Sequence, residues 1–289
     1  NTMLNLTKHY KSIIITSTLL LMCVISYEQT SLANLDVEMV HVKGNTPMIM
    51  NHGGVGKNVT LDNFEISKYE VSQQLWQEVM GDNPSYYKDP RKPVESVDWY
   101  SCIVFCNELS SMTGRRPRYY KDRDFTQTID KNDYVGKGTG KPFTSFEDSE
   151  SDGYRLPLES EWQYAASGGE KSKGYTYSGS NNINEVAWNE GNNTVYGTKQ
   201  VGLLKPNELG LYDMSGNVWE WCWDILGGQK FFYKECGDMD NGSGLYRLFR
   251  GGDWYGASSY CTTSYRFFNL LVTRFNIYGF RLASSVKKE

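Results

Sequence analysis

Apolar and polar positions along the chain set out only a few regular elements. Residues 37–42 and 59–66 are short apolar-rich runs that predict two strands, with Gly53-Gly54-Val55-Gly56-Lys57 as the turn between them. Ser72 stands where a helix N-cap belongs and predicts a helix running to Met80. Residues 96–98 open a second helix that runs to about Met112 and stops near Gly114 and Pro117. Cys102 and Cys106 lie four apart in that run and therefore share a helix face, where a free thiol packs as a small hydrophobe. A third, shorter helix is expected over residues 158–166. Residues 118–152 are rich in Asp, Lys, Gly and Thr and read as an elaborated surface insertion, whereas Gly, Asn and turns dominate residues 168–247.

The first residues follow another pattern. Lys8 and Lys11 precede an apolar run at residues 12–25 that is too short to span a bilayer, and Ser31-Leu32-Ala33 places small residues at cleavage positions. This predicts a leader of residues 1–33, or a lipoprotein leader that ends before Cys23 and leaves that cysteine as a lipid attachment point. In both cases a single domain, 34–289, leaves the cytoplasm and is displayed at a bacterial surface or in the periplasm. The Cys23 form adds a membrane tether.

Composition narrows the function classes. The chain has 289 residues, 39% hydrophobic and 14% aromatic, enough for a full core. Thirty basic and 34 acidic residues give a net charge of −4 with no Lys/Arg stripe, which argues against nucleic acid as a partner. Gly56-Lys57 does not make a phosphate loop, because Asn51 and Asn58 stand where Gly and Ser or Thr are required. Leaving out Cys23, five of the six cysteines remain, and neither a disulfide framework nor a zinc spacing can be read from them.

The C-terminal stretch 255–278 contains no Lys, Glu, Gln, Met or Trp and has no clean periodicity. Its tyrosines and phenylalanines can bury large area with few rotatable bonds, while its Ser, Thr and Asn side chains offer adaptable hydrogen bonds, as in a binding surface. The competing reading is a buried strand pair whose alternate aromatics face the core.

Four motifs occur in order: GYRLPLESEWQYAASGG at 153–169, NELGLYDMSGNVWEWCWD at 207–224, RGGDW at 250–254 and GFRLA at 279–283. With them, residues 37–286 resemble the formylglycine-generating enzyme family, the sulfatase-modifying factors. The resemblance implies an α+β fold, a C-type lectin-like fold of the formylglycine-generating enzyme type with low regular secondary structure. It implies scaffold roles for Arg155, Glu161, Gly251, Gly252, Gly279 and Arg281.

In the enzymes of this family two cysteines beyond the RGG motif hold copper. Here the second falls on Cys261 and the first on Gly256, so the pair is incomplete and no catalytic residue is expected. All three histidines, His9, His41 and His52, precede the lectin-like motifs. The chain is more similar to the non-catalytic variable proteins of diversity-generating retroelements. In these, adenine-directed mutagenesis of AAC-type codons excludes the five residue types absent from 255–278. By that resemblance Tyr255, Gly256, Ala257, Tyr260, Tyr265, Phe267, Phe268, Asn269, Leu270, Thr273, Phe275, Asn276 and Ile277 are ligand-contacting and variable. Asp253, Trp254 and Tyr278 are included at the margins, and Cys261, Arg266 and Arg274 are fixed framework.

The expected partner is a protein or cell-surface ligand at this aromatic patch, and no cofactor is required. Structural calcium is an option the family implies, with Asn217 and Glu220 of GNVWE as oxygen ligands. The alternatives are a redox enzyme acting at Cys261 and a structural module of the cell envelope.

Overall fold

Helix starts follow the capping chemistry of the sequence in the computed structural model of the chain, which describes residues 35, 37–44, 47–52, 55–134, 144–226 and 246–286. The Ser72 hydroxyl accepts from Leu75 N at 3.1 Å and opens α1 (Gln73–Met80), which Gly81 ends at φ 82°. Asp98 accepts from Ser101 N at 2.8 Å and opens α2 (Trp99–Met112). Within α2, Cys102 and Cys106 are both fully buried, as their spacing predicts. The third helix, α3 (Glu159–Ala166), starts with the carboxylate of Glu161 accepting from Leu158 N at 2.9 Å. That carboxylate is also gripped by both terminal nitrogens of buried Arg155, at 2.6 and 2.7 Å.

Strand β1 (Met39–Val42) pairs antiparallel with β4 (Phe64–Ser67), and β11 (Ala283–Ser285) pairs antiparallel with the other edge of β4. The first and last strands of the fold thus close one three-stranded sheet. Between them in sequence, β2 (Met48–His52) pairs with β3 (Val55–Val59). This corrects the expected strand over residues 59–66: Val59 ends β3, residues 60–63 break the run, and β4 starts at Phe64. Val55, Gly56 and Lys57, expected in a turn, belong to β3, while Gly53 and Gly54 lie outside the described residues. The insertion at 118–152 contributes a small hairpin, β5 (Tyr119–Tyr120) with β6 (Phe146–Glu147).

The second sheet runs β10-β7-β8-β9, formed by β7 (Trp219–Ile225), β8 (Tyr246–Arg250), β9 (Arg266–Leu270) and β10 (Tyr278–Gly279). Finding β7 and the start of β8 in a region expected to be turns is a second correction. Trp219, Glu220, Trp221 and Cys222 are all buried, so both faces of the strand are covered and the period-2 signal that marks a half-buried strand is absent.

Tryptophans pin the loops to this framework. Trp99 Nε1 donates to Cys222 O at 3.0 Å and Trp221 Nε1 to Val97 O at 3.1 Å. Trp76 stacks on Phe105 at 5.2 Å and meets the edge of Phe280, from the GFRLA motif, at 6.0 Å. At the centre, fully buried Arg281 donates to both carboxylate oxygens of fully buried Glu220, at 2.6 and 2.7 Å, and Trp162 Nε1 donates to the same carboxylate at 2.6 Å.

The chain divides into two units, Asn1–Val37 and Glu38–Glu289, and all the elements above belong to the second. The predicted leader 1–33, with Cys23, lies outside the described residues. Among the described residues no helix is long and apolar enough to cross a membrane.

Candidate ligand-binding face

The face is built where β8 leaves the sheet. Gly251 and Gly252 turn the chain with φ of 99° and 78°, and a Cβ on Gly252 would come within 2.7 Å of Cys261 Sγ. Only glycine supplies that turn without strain. Asp253 then accepts from Tyr255 N at 2.8 Å, and Trp254 donates from its indole to Asn276 O at 3.0 Å, tying the two ends of the stretch together.

Main-chain and arginine contacts fix the stretch from below. The carbonyls of Leu271, Phe275 and Ile277 accept from Trp99 N, Ser96 N and Trp219 N at 3.1, 3.0 and 2.8 Å. Arg250 donates to Ser264 O and Tyr265 O at 2.9 and 3.0 Å, and with its other terminal nitrogen to Glu159 and Gln163, both at 2.7 Å. Arg266 forms an ion pair with the same Glu159 at 2.9 Å. Arg274 binds Asp98 at 2.8 and 2.9 Å and Ser101 Oγ at 3.0 Å. The Cys261 carbonyl accepts from Ser215 Oγ at 2.7 Å.

Side chains sort against this frame. Tyr255 and Phe275 are 58% and 55% exposed, and Tyr260 and Leu270 also reach solvent. Gly256, Ala257, Tyr265, Phe267, Phe268, Asn269, Thr273, Asn276 and Ile277 are half-buried. Gly251, Gly252, Cys261, Gly279 and Arg281, expected as scaffold, are buried, and Arg266 and Arg274 are half-buried. Asp253, Trp254 and Tyr278, expected at the margins of the contact set, are buried and form its floor instead. Phe268 packs against the core cluster of Trp162 and Leu248, because alternate residues of β9 point to opposite sides of the sheet.

Two aromatic groups make up the surface. Trp219, buried in β7, lies beneath Phe267, Tyr265 and Tyr260 with centroids at 5.9, 6.0 and 6.3 Å. Tyr278 stacks on Phe249 at 4.5 Å, meets Phe275 at 5.5 Å and accepts from Asn269 Nδ2 at 3.0 Å. In the second group Trp254 touches Tyr87, Tyr255 and Tyr196 at 5.3, 5.4 and 5.8 Å. Trp219 was legible only as a motif tryptophan. Tyr87 and Tyr196 lie in turn-rich segments whose sequence carries no signal of a site.

Burial pushes the Asp253 carboxyl up to about 6, against the Tyr255 amide and the Trp219 indole that stabilise its charge. Burial also pushes the Cys261 thiol up to about 12, with Asp253 adding to the effect. Asn217 and Glu220 do not fit a calcium site. Both Glu220 oxygens are bound by Arg281. Asn217 Oδ1 accepts from Lys199 N at 2.9 Å, and its amide donates to Glu70 at 2.6 Å. Among the described residues no cluster of three or more His, Cys, Asp or Glu side chains is placed to hold a metal.

The closed β1-β4-β11 sheet, the sparse helices and the loop-built face define a C-type lectin-like fold of the formylglycine-generating type. The chain belongs to the family of the sulfatase-modifying factor enzyme 1-like domain, whose model matches residues 29–286. It is 40% identical over 244 residues to the chaperone protein LppX of Paenibacillus barcinonensis, covering 79% of this chain and 82% of that one. To the formylglycine-generating enzyme of Streptomyces coelicolor it is 35% identical over 124 residues, 38% of each chain. The solved structure of Treponema denticola variable protein 1 superposes with a TM-score of 0.69 at 30% identity, covering 85% of this chain and 94% of that one. An enzyme and a variable protein thus share the fold, and function must be argued from the site.

Proposed function

We propose that the chain is an exported, surface-displayed binding protein whose residues 255–278 form a ligand site diversified by a retroelement. One observation carries this reading. The positions that the sequence assigns to variation lie mostly at or near the surface, while the segment's backbone is held by main-chain bonds and by arginines outside that set. Side chains there can change while the contacts that hold the backbone stay in place, as in antibody loops. Export rests on the leader pattern, and a lipidated Cys23 would tether the domain.

An oxidase reading is weaker. Two soft thiolates select Cu(I), and position 256 supplies none. The likeness to a chaperone over most of its length favours a second reading, an envelope module with a fixed partner.

Sequencing the encoding locus from many cells of one culture decides between them. Diversification predicts substitutions confined to positions such as Tyr255, Tyr265, Phe267 and Phe275. It also predicts a downstream near-copy with AAC-type codons at those positions and an adjacent reverse-transcriptase gene. A uniform stretch with neither neighbour would leave the fixed-partner module.

A further inference from the structure

The same face carries aromatic side chains that lie outside the diversified stretch. Tyr86 and Tyr196 are 71% and 70% exposed, more than any large apolar side chain within it. Ring contacts join them to it without a break: Tyr86 to Tyr87 at 4.9 Å, Tyr87 to Trp254 at 5.3 Å, Trp254 to Tyr196 at 5.8 Å and Tyr196 to Tyr255 at 6.0 Å. The shelf is shaped by its own loops. Gly197, at φ 115°, lies so close to Tyr87 that a Cβ would be 2.6 Å from the ring. The Lys199 ammonium is bound by Asn193 Oδ1 and the carbonyls of Val195 and Gly197, which holds the loop that presents Tyr196. A contiguous exposed aromatic surface marks a contact site.

Charge on this face runs against that of the whole chain. Residues 84–92 carry Lys88, Arg91 and Lys92 against Asp89 alone, in a chain of net charge −4, while Arg266 and Arg274 are neutralised beneath the face by Glu159 and Asp98. Asp89 accepts from Gln200 Nε2 and from Arg91 N, each at 2.9 Å, which leaves three cations against one carboxylate on the shelf. Lys92 lies over the Tyr87 ring at 5.8 Å. Between shelf and stretch lies a cleft of about 420 Å³ lined by Pro84, Ser85, Tyr86, Lys88, Ser96 and Arg274. Ser96 holds φ 63°, a costly conformation for a residue with a side chain, while its amide bonds to Phe275 O.

We propose that the contact face extends beyond the diversified stretch onto a fixed tyrosine shelf of Tyr86, Tyr87 and Tyr196, and that this shelf receives an acidic protein partner, one of whose carboxylates enters the cleft beside Lys88. The proposal rests on reading 255–278 as the ligand site and adds the invariant half of that site. Broad, open tyrosine surface with adaptable hydroxyls suits a protein surface. The cationic rim selects acidic partners and speeds their encounter. Diversified positions then choose among acidic partners, while the shelf gives every variant the same foothold.

A displayed random-peptide library selected on the purified chain provides the test, repeated with a Tyr86→Ser/Tyr196→Ser variant, a Lys88→Gln variant and a Tyr255→Ser/Phe275→Ser variant. All five positions are at the surface, so folding is retained and is checked by circular dichroism. The expected result is enrichment of Asp- and Glu-bearing peptides. Their binding should weaken about tenfold or more in the shelf variant and several-fold in Lys88→Gln, and fall further with added salt. Tyr255→Ser/Phe275→Ser should change which acidic sequences are selected. Peptides without acidic bias that respond only to Tyr255 and Phe275 would overturn the shelf and leave the ligand site standing. Peptides that respond to none of these positions would overturn both. Polygalacturonate binding at Tyr86 and Tyr196 without acidic-peptide enrichment would replace the protein partner with an anionic glycan and overturn the proposal.

Discussion

Residues 153–169 and 255–278 both combine arginine with aromatic side chains, and they use them in opposite directions. In the first, Arg155 closes on Glu161, and Tyr154, Trp162 and Tyr164 are all buried. In the second, Arg266 and Arg274 reach down to Glu159 and Asp98, while Tyr255, Tyr260 and Phe275 point outward. Charge is thus spent on holding the backbone, and rings are left for contact. The atoms that hold this segment and the atoms it presents to solvent are therefore different.

The sharpest way to break this division is to remove a clamp from the buried side. Arg281→Ala removes the counter-charge of Glu220 at 0% exposure and leaves only the Trp162 indole on that carboxylate, and a loss of about 3–5 kcal/mol is expected. Chemical denaturation measures it, and a loss under about 1 kcal/mol would mean that the ion pair is not central.

A smaller effect separates floor from surface. Burial holds the carboxyls of Asp213, Asp224 and Asp253 up at about 6, from the usual 3.8. The folded state then binds these protons more tightly than the unfolded chain does. Their contribution is complete below the unfolded value and is lost as pH rises through about 6. The three groups should therefore lower the melting temperature between pH 4 and pH 7. Asp253→Asn should flatten that fall, by at most about 3 kcal/mol. An unchanged pH profile in the variant would remove Asp253 from the titrating set.

The smallest expected change is the most informative about the surface. Tyr255→Ser and Phe275→Ser remove half-exposed rings and should alter stability by no more than about 0.5 kcal/mol. Calorimetry that found several kcal/mol would show these rings to be core, and the division between clamp and contact would fail.

Much of this arrangement was legible in the sequence. Ser72 and residues 96–98 announced their helices because N-cap chemistry is local, and the RGG and GFRLA motifs bracketed the candidate site. The sequence obscured β7, whose two faces are both covered, and the start of β3, where Val55, Gly56 and Lys57 resembled part of a turn. It also gave no hint of Tyr86 and Tyr196. These two side chains lie on loops that meet only in three dimensions, around Trp254, and neither loop has a period that would mark it.

The closing strand β11 and Arg281 follow the stretch in chain order, whereas their partners β4 and Glu220 precede it. A copy of the chain that stops early or slips out of frame within 255–278 therefore lacks both the edge that completes the first sheet and the cation that neutralises Glu220. Such a copy fails as a folded object. The order of elements acts as a proofreader, passing only chains in which residues 255–278 have been translated in frame to the end.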